Sequence, residues 1–178
     1  MRNECITRPD VHRLLPGDAI MKSGKWKTYV FWIVLAEAAG ALSGWLSREG
    51  TAAFSETAVQ PPLSPPALLF PIVWTILYLL MGISAARISL SPPSKERSRG
   101  LNLFIVQLVV NFFWSPIFFN AQAYGFALLW LLFLWVLVLL MILSFRKTDP
   151  IAAWLQLPYL LWLTFAAYLN AGVWYLNQ

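Results

Sequence analysis

The chain has 178 residues, of which 59% are hydrophobic, 16% aromatic and only 12% charged, with a mean hydropathy of +0.63. A soluble domain carries about 25% charged residues to keep its surface wet, and one core cannot hide this much apolar surface in a chain this short, so lipid is the solvent that fits. The net charge of +5 is no sign of nucleic acid, because the basic residues cluster at the ends of apolar runs, where headgroups and topology account for them.

Residues 1–25 are mixed and polar, with no helical period, and are expected to be a disordered N-terminal extension or, over 1–20, the product of an upstream start. They hold the only cysteine, Cys5, and the only histidine, His12. A disulfide framework and a Cys/His metal site are therefore excluded, and no metal ligand set is expected. No signal peptide is expected, because the first apolar run is too long and no small-residue cleavage pattern follows it.

A spanning helix needs about 20 mostly apolar residues. Five such segments follow, near 26–45, 67–86, 101–120, 123–145 and 151–176, and together they predict an all-α integral membrane protein, a five-helix bundle over 26–178. A long loop over 46–66 separates the first two spans and ends in Gln60-Pro61-Pro62-Leu63-Ser64-Pro65-Pro66. Positions 101–145 contain no charged residue; that is too long for one span, and Asn120-Ala-Gln-Ala-Tyr-Gly125 supplies the turn that divides it. Twelve of the thirteen basic residues fall on the side that holds the N-terminus and loops 2–3 and 4–5, and Arg48 alone falls on the other. The positive-inside rule puts the N-terminus in the cytoplasm and the C-terminus outside.

Chemistry inside the spans is sparse. Glu37 is the one intramembrane carboxylate, and with the lone histidine outside the spans no nucleophile, base and acid set can be assembled there. No catalytic residue is assigned. A carboxylate in hydrocarbon is expensive, so Glu37 reads either as a hydrogen-bonded structural group or as a functional one. Three helical stripes pair tryptophan with small or polar residues: Trp74, Tyr78 and Gly82; Gln107, Asn111, Trp114 and Phe118; and Pro158, Trp162, Ala166 and Asn170. Each alone reads as packing between helices; the three together point to a shared pocket. Trp26, Trp45 and Trp174 lie at membrane interfaces, whereas Trp74, Trp114, Trp130, Trp135 and Trp162 lie well inside spans, where indoles make flat walls for a planar ligand. Pro71, Pro116 and Pro158 are expected to interrupt their spans and open space between helices. Gly40 and Gly44 form a GxxxG pair that fits either a dimer face or packing within the bundle.

The run from Pro61 to Pro66, then Phe70-Pro71-Ile72-Val73-Trp74-Thr75-Ile76-Leu77-Tyr78, resembles the TspO/MBR family, the tryptophan-rich sensory proteins. Asn111-Phe-Phe-Trp114-Ser115 and Leu157-Pro158-Tyr159-Leu-Leu-Trp162 through Asn170 match further family patterns, in order, and the resemblance covers residues 27–178. It implies a five-helix membrane bundle that binds porphyrins or other tetrapyrroles and forms homodimers. The pocket it implies includes Trp74, Asn111, Trp114, Trp162 and Ala166, to which the stripes add Tyr78 and Phe118. Pro61, Pro62, Leu63, Pro65 and Pro66 would act as a lid. Tryptophans matching Trp74 and Trp162 are implicated in porphyrin photodegradation in some relatives. The chain departs from the pattern at Leu63, where many relatives have Trp, and at Trp130, where many have an acidic residue that Glu37 could partly replace. With no basic residue after Lys147, the C-terminal cholesterol-recognition pattern is missing. Without an intramembrane histidine to ligate haem iron, a metal-free porphyrin is the expected ligand, held by stacking and by Asn111 as a ligand and not a cofactor. The alternatives are light- and oxygen-dependent porphyrin breakdown, or a structural modulator of a partner membrane protein with lipid in the pocket.

Overall fold

A computed structural model describes residues 16–178, with side chains from Gly24 onward. Positions 1–15 of the expected extension, with Cys5 and His12, lie outside the described residues. Among these, seven α-helices and one π-helical turn follow in order: α1 Pro16–Leu46, α2 Arg48–Thr57, α3 Leu69–Leu90, α4 Lys95–Ser115, the π turn Pro116–Asn120, α5 Tyr124–Thr148, α6 Pro150–Trp154 and α7 Leu157–Leu176. Five helical stretches are long and apolar enough to cross a membrane: Gly24–Leu46, Leu69–Leu90, Lys95–Asn120, Tyr124–Thr148 and Pro150–Leu176. The chain is a multi-pass integral membrane protein, and the five expected spans are all present.

The helices form one bundle in which α1 lies against α3, α4 against α5, and α5 against α7, while α6 bridges α5 and α3. Hydrocarbon gives no hydrophobic drive between helices, so close packing and interhelical hydrogen bonds must hold them. A Cβ at Gly40 would collide with the Tyr78 ring, and a Cβ at Gly82 would come within 2.5 Å of the Ile33 backbone. The first glycine of the GxxxG pair thus serves α1–α3 packing, whereas the space over Gly44 is open. The hydroxyl of Ser43 donates to Phe112 O at 2.7 Å, that of Ser84 to Ala152 O at 2.6 Å, and that of Ser144 to Glu96 O at 3.1 Å. Trp130 Nε1 donates to Val110 O at 2.8 Å, and Trp135 Nε1 to Thr164 Oγ1 at 3.0 Å. These two indoles, read above as cavity walls, spend their N–H groups tying α5 to α4 and α7. The fully buried residues, among them Met81, Phe104, Leu134, Met141, Tyr159 and Leu163, fill the centre, while residues such as Leu129 and Leu161 face outward.

Two expectations are corrected. The 46–66 connection is not a plain loop, because residues 48–57 carry neither proline nor a disruptive glycine run and form α2. Its Phe54 lies 5.3 Å from Phe118 and 5.4 Å from Phe119 between ring centroids, which anchors α2 on the π turn. One of the three prolines also acts otherwise than expected. Pro71 occupies the first turn of α3, where the missing N–H has no partner to lose. Pro158 and Pro116 do interrupt their spans: the fifth breaks at Leu155 and Gln156 just before Pro158 enters the first turn of α7, and Pro116 opens the π turn.

Arg87, Lys95, Arg97, Arg99, Arg146 and Lys147 gather at one end of the bundle, and Arg48 is at the other. At the basic end Ser94 caps α4 by accepting from Arg97 N at 3.0 Å, and Arg97 donates to Ser89 O at 2.7 Å. Asp149 caps α6, accepting from Ile151 N at 2.9 Å and Ala152 N at 3.3 Å. The same carboxylate meets Arg87, whose Nε lies 2.9 Å from Oδ2 and whose Nη2 donates to Oδ1 at 3.2 Å.

Candidate functional site

Trp74, Tyr78 and Asn111 come together at a corner of α3, α4 and α7, with Tyr78 and Asn111 buried and Trp74 half-buried. Asn111 Nδ2 donates to Tyr78 Oη at 2.9 Å, and the Trp74 ring lies 5.4 Å from Tyr78 and 6.1 Å from Tyr159. One turn along α4, Gln107 Oε1 accepts from Tyr159 Oη at 3.1 Å. Gln107 and Asn111 share a face because they are four residues apart, so the amide pair and the tyrosine pair form two parallel polar contacts across the core. Trp114 and Phe118 occupy a neighbouring cluster, stacked at 5.0 Å and 23°, with Phe54 and Tyr124 against Phe118. The ring contacts of Trp114 run to Phe118 and Phe119, not to Trp74. Its indole N–H is buried with no acceptor, and Asn170 Oδ1 is buried with no donor, although Asn170 Nδ2 donates to Tyr124 O at 2.8 Å. A buried unpaired donor costs about 1–3 kcal/mol, so the Trp114 N–H is a place where a ligand acceptor would be rewarded.

Trp162 lies across from this corner. Its ring is 5.8 Å from Phe70 and 5.7 Å from Phe165, and it lines an apolar groove of about 380 Å³ with Val73, Ile76, Leu77, Pro158, Leu161 and Phe165. Ala166, one turn on, is half-buried against the main core. The structure therefore distributes the expected pocket over three adjoining aromatic groups: Trp74–Tyr78–Asn111, Trp114–Phe118, and Trp162 with Ala166.

The expected lid is strapped to α7. Pro61 is buried against Gly172, where a Cβ would come within 2.5 Å of the proline ring. Pro62 O accepts from Tyr168 Oη at 3.0 Å. Asn177 grips Val59 twice, accepting from its N–H at 2.9 Å and donating to its carbonyl at 2.9 Å. Between them Pro61, Pro62, Leu63 and Ser64 form a turn closed by Ser64 N to Pro61 O at 3.3 Å. Leu63 stands at its third position with φ 66°, a left-handed conformation that favours glycine, and its side chain is 79% exposed. Pro65 is half-buried, and Pro66 O accepts from Leu69 N at 2.8 Å where α3 begins.

These contacts fall into a single antiparallel register. Val59 meets Asn177, Pro61 meets Gly172, Pro62 meets Tyr168, Phe70 meets Trp162, Trp74 meets Tyr159, Ser84 meets Ala152 and Arg87 meets Asp149. Segment 59–87 thus lies along segment 149–177 for its whole length. Sequence reasoning missed Tyr159, Phe70, Tyr168, Gly172 and Asn177 as partners. Tyr159, which precedes Trp162 by three residues on one helical face, was the one carrying a readable signal.

Residues 32–176 match the model of the TspO/MBR family. The chain is 35% identical over 151 residues to the tryptophan-rich protein TspO of Chlorobaculum tepidum, covering 84% of this chain and 96% of that one. It is 36% identical to protein CrtK of Rhodobacter capsulatus, covering 84% and 92% of the two chains. With the translocator protein of Bos taurus the identity is 32%, over 86% and 92%. The Trp74–Tyr78–Asn111 corner and the strapped proline turn are built from the segments that carry the sequence resemblance, and the chain belongs to the TspO/MBR family.

Proposed function

We propose that this protein binds a porphyrin or related tetrapyrrole among its half-buried tryptophans and their aromatic neighbours, as a membrane sensor or transporter-like protein. The observation that carries the reading is the Trp74–Tyr78–Asn111 corner: a flat indole beside an ordered amide offers stacking and one directional hydrogen bond. The unpartnered Trp114 N–H adds a donor for a propionate or other ligand oxygen. The names of the relatives, tryptophan-rich sensory protein and translocator protein, agree with sensing or translocation. Titration with protoporphyrin IX should quench tryptophan fluorescence. Trp74→Phe and Asn111→Ala should each weaken binding by about tenfold, as loss of one hydrogen bond or stacking contact implies. Unchanged affinity in both, and in Trp162→Phe, would remove the assignment. With no histidine among the spans, protoporphyrin IX should bind at least as tightly as haem.

The contact of Trp74 with two tyrosines within 6.1 Å favours one second reading, light- and oxygen-dependent breakdown of the bound porphyrin. Bleaching that needs Trp74 would support it, and reversible binding without product would end it. The charge asymmetry supports a cytoplasmic N-terminus and an external C-terminus; an impermeant reagent in intact cells should label Thr57→Cys. The open face over Gly44 is consistent with a homodimer, which cross-linking in native membrane would reveal.

A further inference from the structure

We infer that the α3–α7 seam is a lateral portal through which the ligand reaches the Trp74 corner from the bilayer, with Phe70 and Trp162 as its latch. The identity of the ligand rests on the tetrapyrrole reading; the portal rests on the seam itself. Both ends of that seam are closed by polar ties. At one end stand the Arg87–Asp149 pair and the Ser84–Ala152 bond; at the other stand the Tyr168–Pro62 and Asn177–Val59 bonds and the Pro61–Gly172 contact. Between them, from residue 70 to residue 77 on α3 and from 158 to 165 on α7, no such tie spans the gap among the described residues, and the crossing contacts are the aromatic pairs Phe70–Trp162 and Trp74–Tyr159. The helices on either side are otherwise engaged, α3 with α1, α4 and α6, and α7 with α5.

The 380 Å³ groove lies over this untied stretch. Its rim residues Ile76 and Leu161 are 53% and 69% exposed, and its floor, Leu77, is 3% exposed. Rotation of Trp162 and Phe70 about their side-chain bonds would deepen the groove without breaking a hydrogen bond or moving a strapped segment. Aromatic contacts of this kind are individually weak, so such opening is thermally accessible. Opening of the strap, by contrast, would have to break several bonds at once. A planar apolar ligand is already concentrated in the hydrocarbon that faces this groove, so the sideways route also avoids its transfer through water.

Two measurements test this. First, ligand-free protein in liposomes with a diazirine-bearing acyl chain is photolysed and labelled residues are mapped. Leu77 should be labelled, whereas Leu131 and Leu134, 2% and 0% exposed but away from the groove, should not. Leu77 as silent as these two overturns the portal, whatever porphyrin does. Second, transfer of protoporphyrin IX from donor vesicles is timed in a Cys5→Ser background. Ile76→Phe with Leu161→Phe, which fills the rim, should slow association about tenfold with the equilibrium affinity within twofold. A disulfide between Val59→Cys and Asn177→Cys, which locks the strap, should leave the rate unchanged. The reverse pattern, slowing by the strap lock alone, places access at the strap and overturns the portal. Absence of any protoporphyrin binding by the unmodified protein defeats the tetrapyrrole reading instead, and the photolabelling still decides the seam.

Discussion

The two ends of the α3–α7 seam are closed by unlike chemistry. At the basic end a single carboxylate, Asp149, joins a cap to an ion pair: it accepts from two backbone N–H groups of α6 and faces Arg87. At the opposite end the closure is spread over a proline ring against a glycine, a tyrosine hydroxyl and an asparagine amide, all acting on a segment between helices. The first is concentrated and half-buried, so it should fail all at once. The second is distributed over several contacts that must all break for the strap to open, so a single substitution there should loosen it only in part.

The largest effect is therefore expected at Asp149. Asp149→Ala removes the cap and leaves Arg87 without its counter-charge, which should cost about 3 kcal/mol, read as a lower unfolding midpoint in detergent. Asp149→Asn, which keeps cap acceptance, should recover part of that loss; equal damage from both would show that the charge carries everything. Gly172→Leu comes next. A side chain there meets Pro61, so the strap should lift, with protease cleavage between residues 58 and 66 rising about tenfold while the helical content stays unchanged. Asn177→Ala should do less, about 1 kcal/mol for a side chain that bonds Val59 at both N and O, and hydrogen exchange at Val59 would report it. The smallest effect has the opposite sign. Leu63→Gly relieves the left-handed backbone at φ 66° and should stabilise the strap by up to about 1 kcal/mol. A destabilised strap in that variant would mean that the exposed leucine makes a membrane contact worth more than the strain.

What was legible in the sequence follows the same division. The spans could be read because lipid imposes length and hydropathy on each helix by itself; the boundaries departed most where helices run on into polar sequence, α1 beginning at Pro16 within the expected extension and α4 at Lys95. Tyr78 and Asn111 could be singled out because their stripes have helical spacing. That they bond each other was not readable, since it depends on the rotation of α3 against α4. Trp130 and Trp135 show the limit plainly. Both lie well inside a span, as Trp74 does, yet their N–H groups go to Val110 and Thr164, a distinction that only the neighbouring helix makes. α2 escaped notice because it is short and not apolar enough to signal a span, and it is held by Phe54 on a turn far away in the chain.

The long antiparallel register also sets a timetable for making the protein. Val59 and Asn177 are 118 residues apart in the chain, and at a synthesis rate of about 5–20 residues per second roughly ten seconds pass between the appearance of one and of the other. Late in that interval α3 has been made and α7 has not, so the side that α7 will cover is turned to lipid. Small apolar molecules have their freest access to Phe70 and Trp74 in that nascent state, before the last helix arrives. A ligand present in the membrane at that moment could be built in, with the strap fastened behind it.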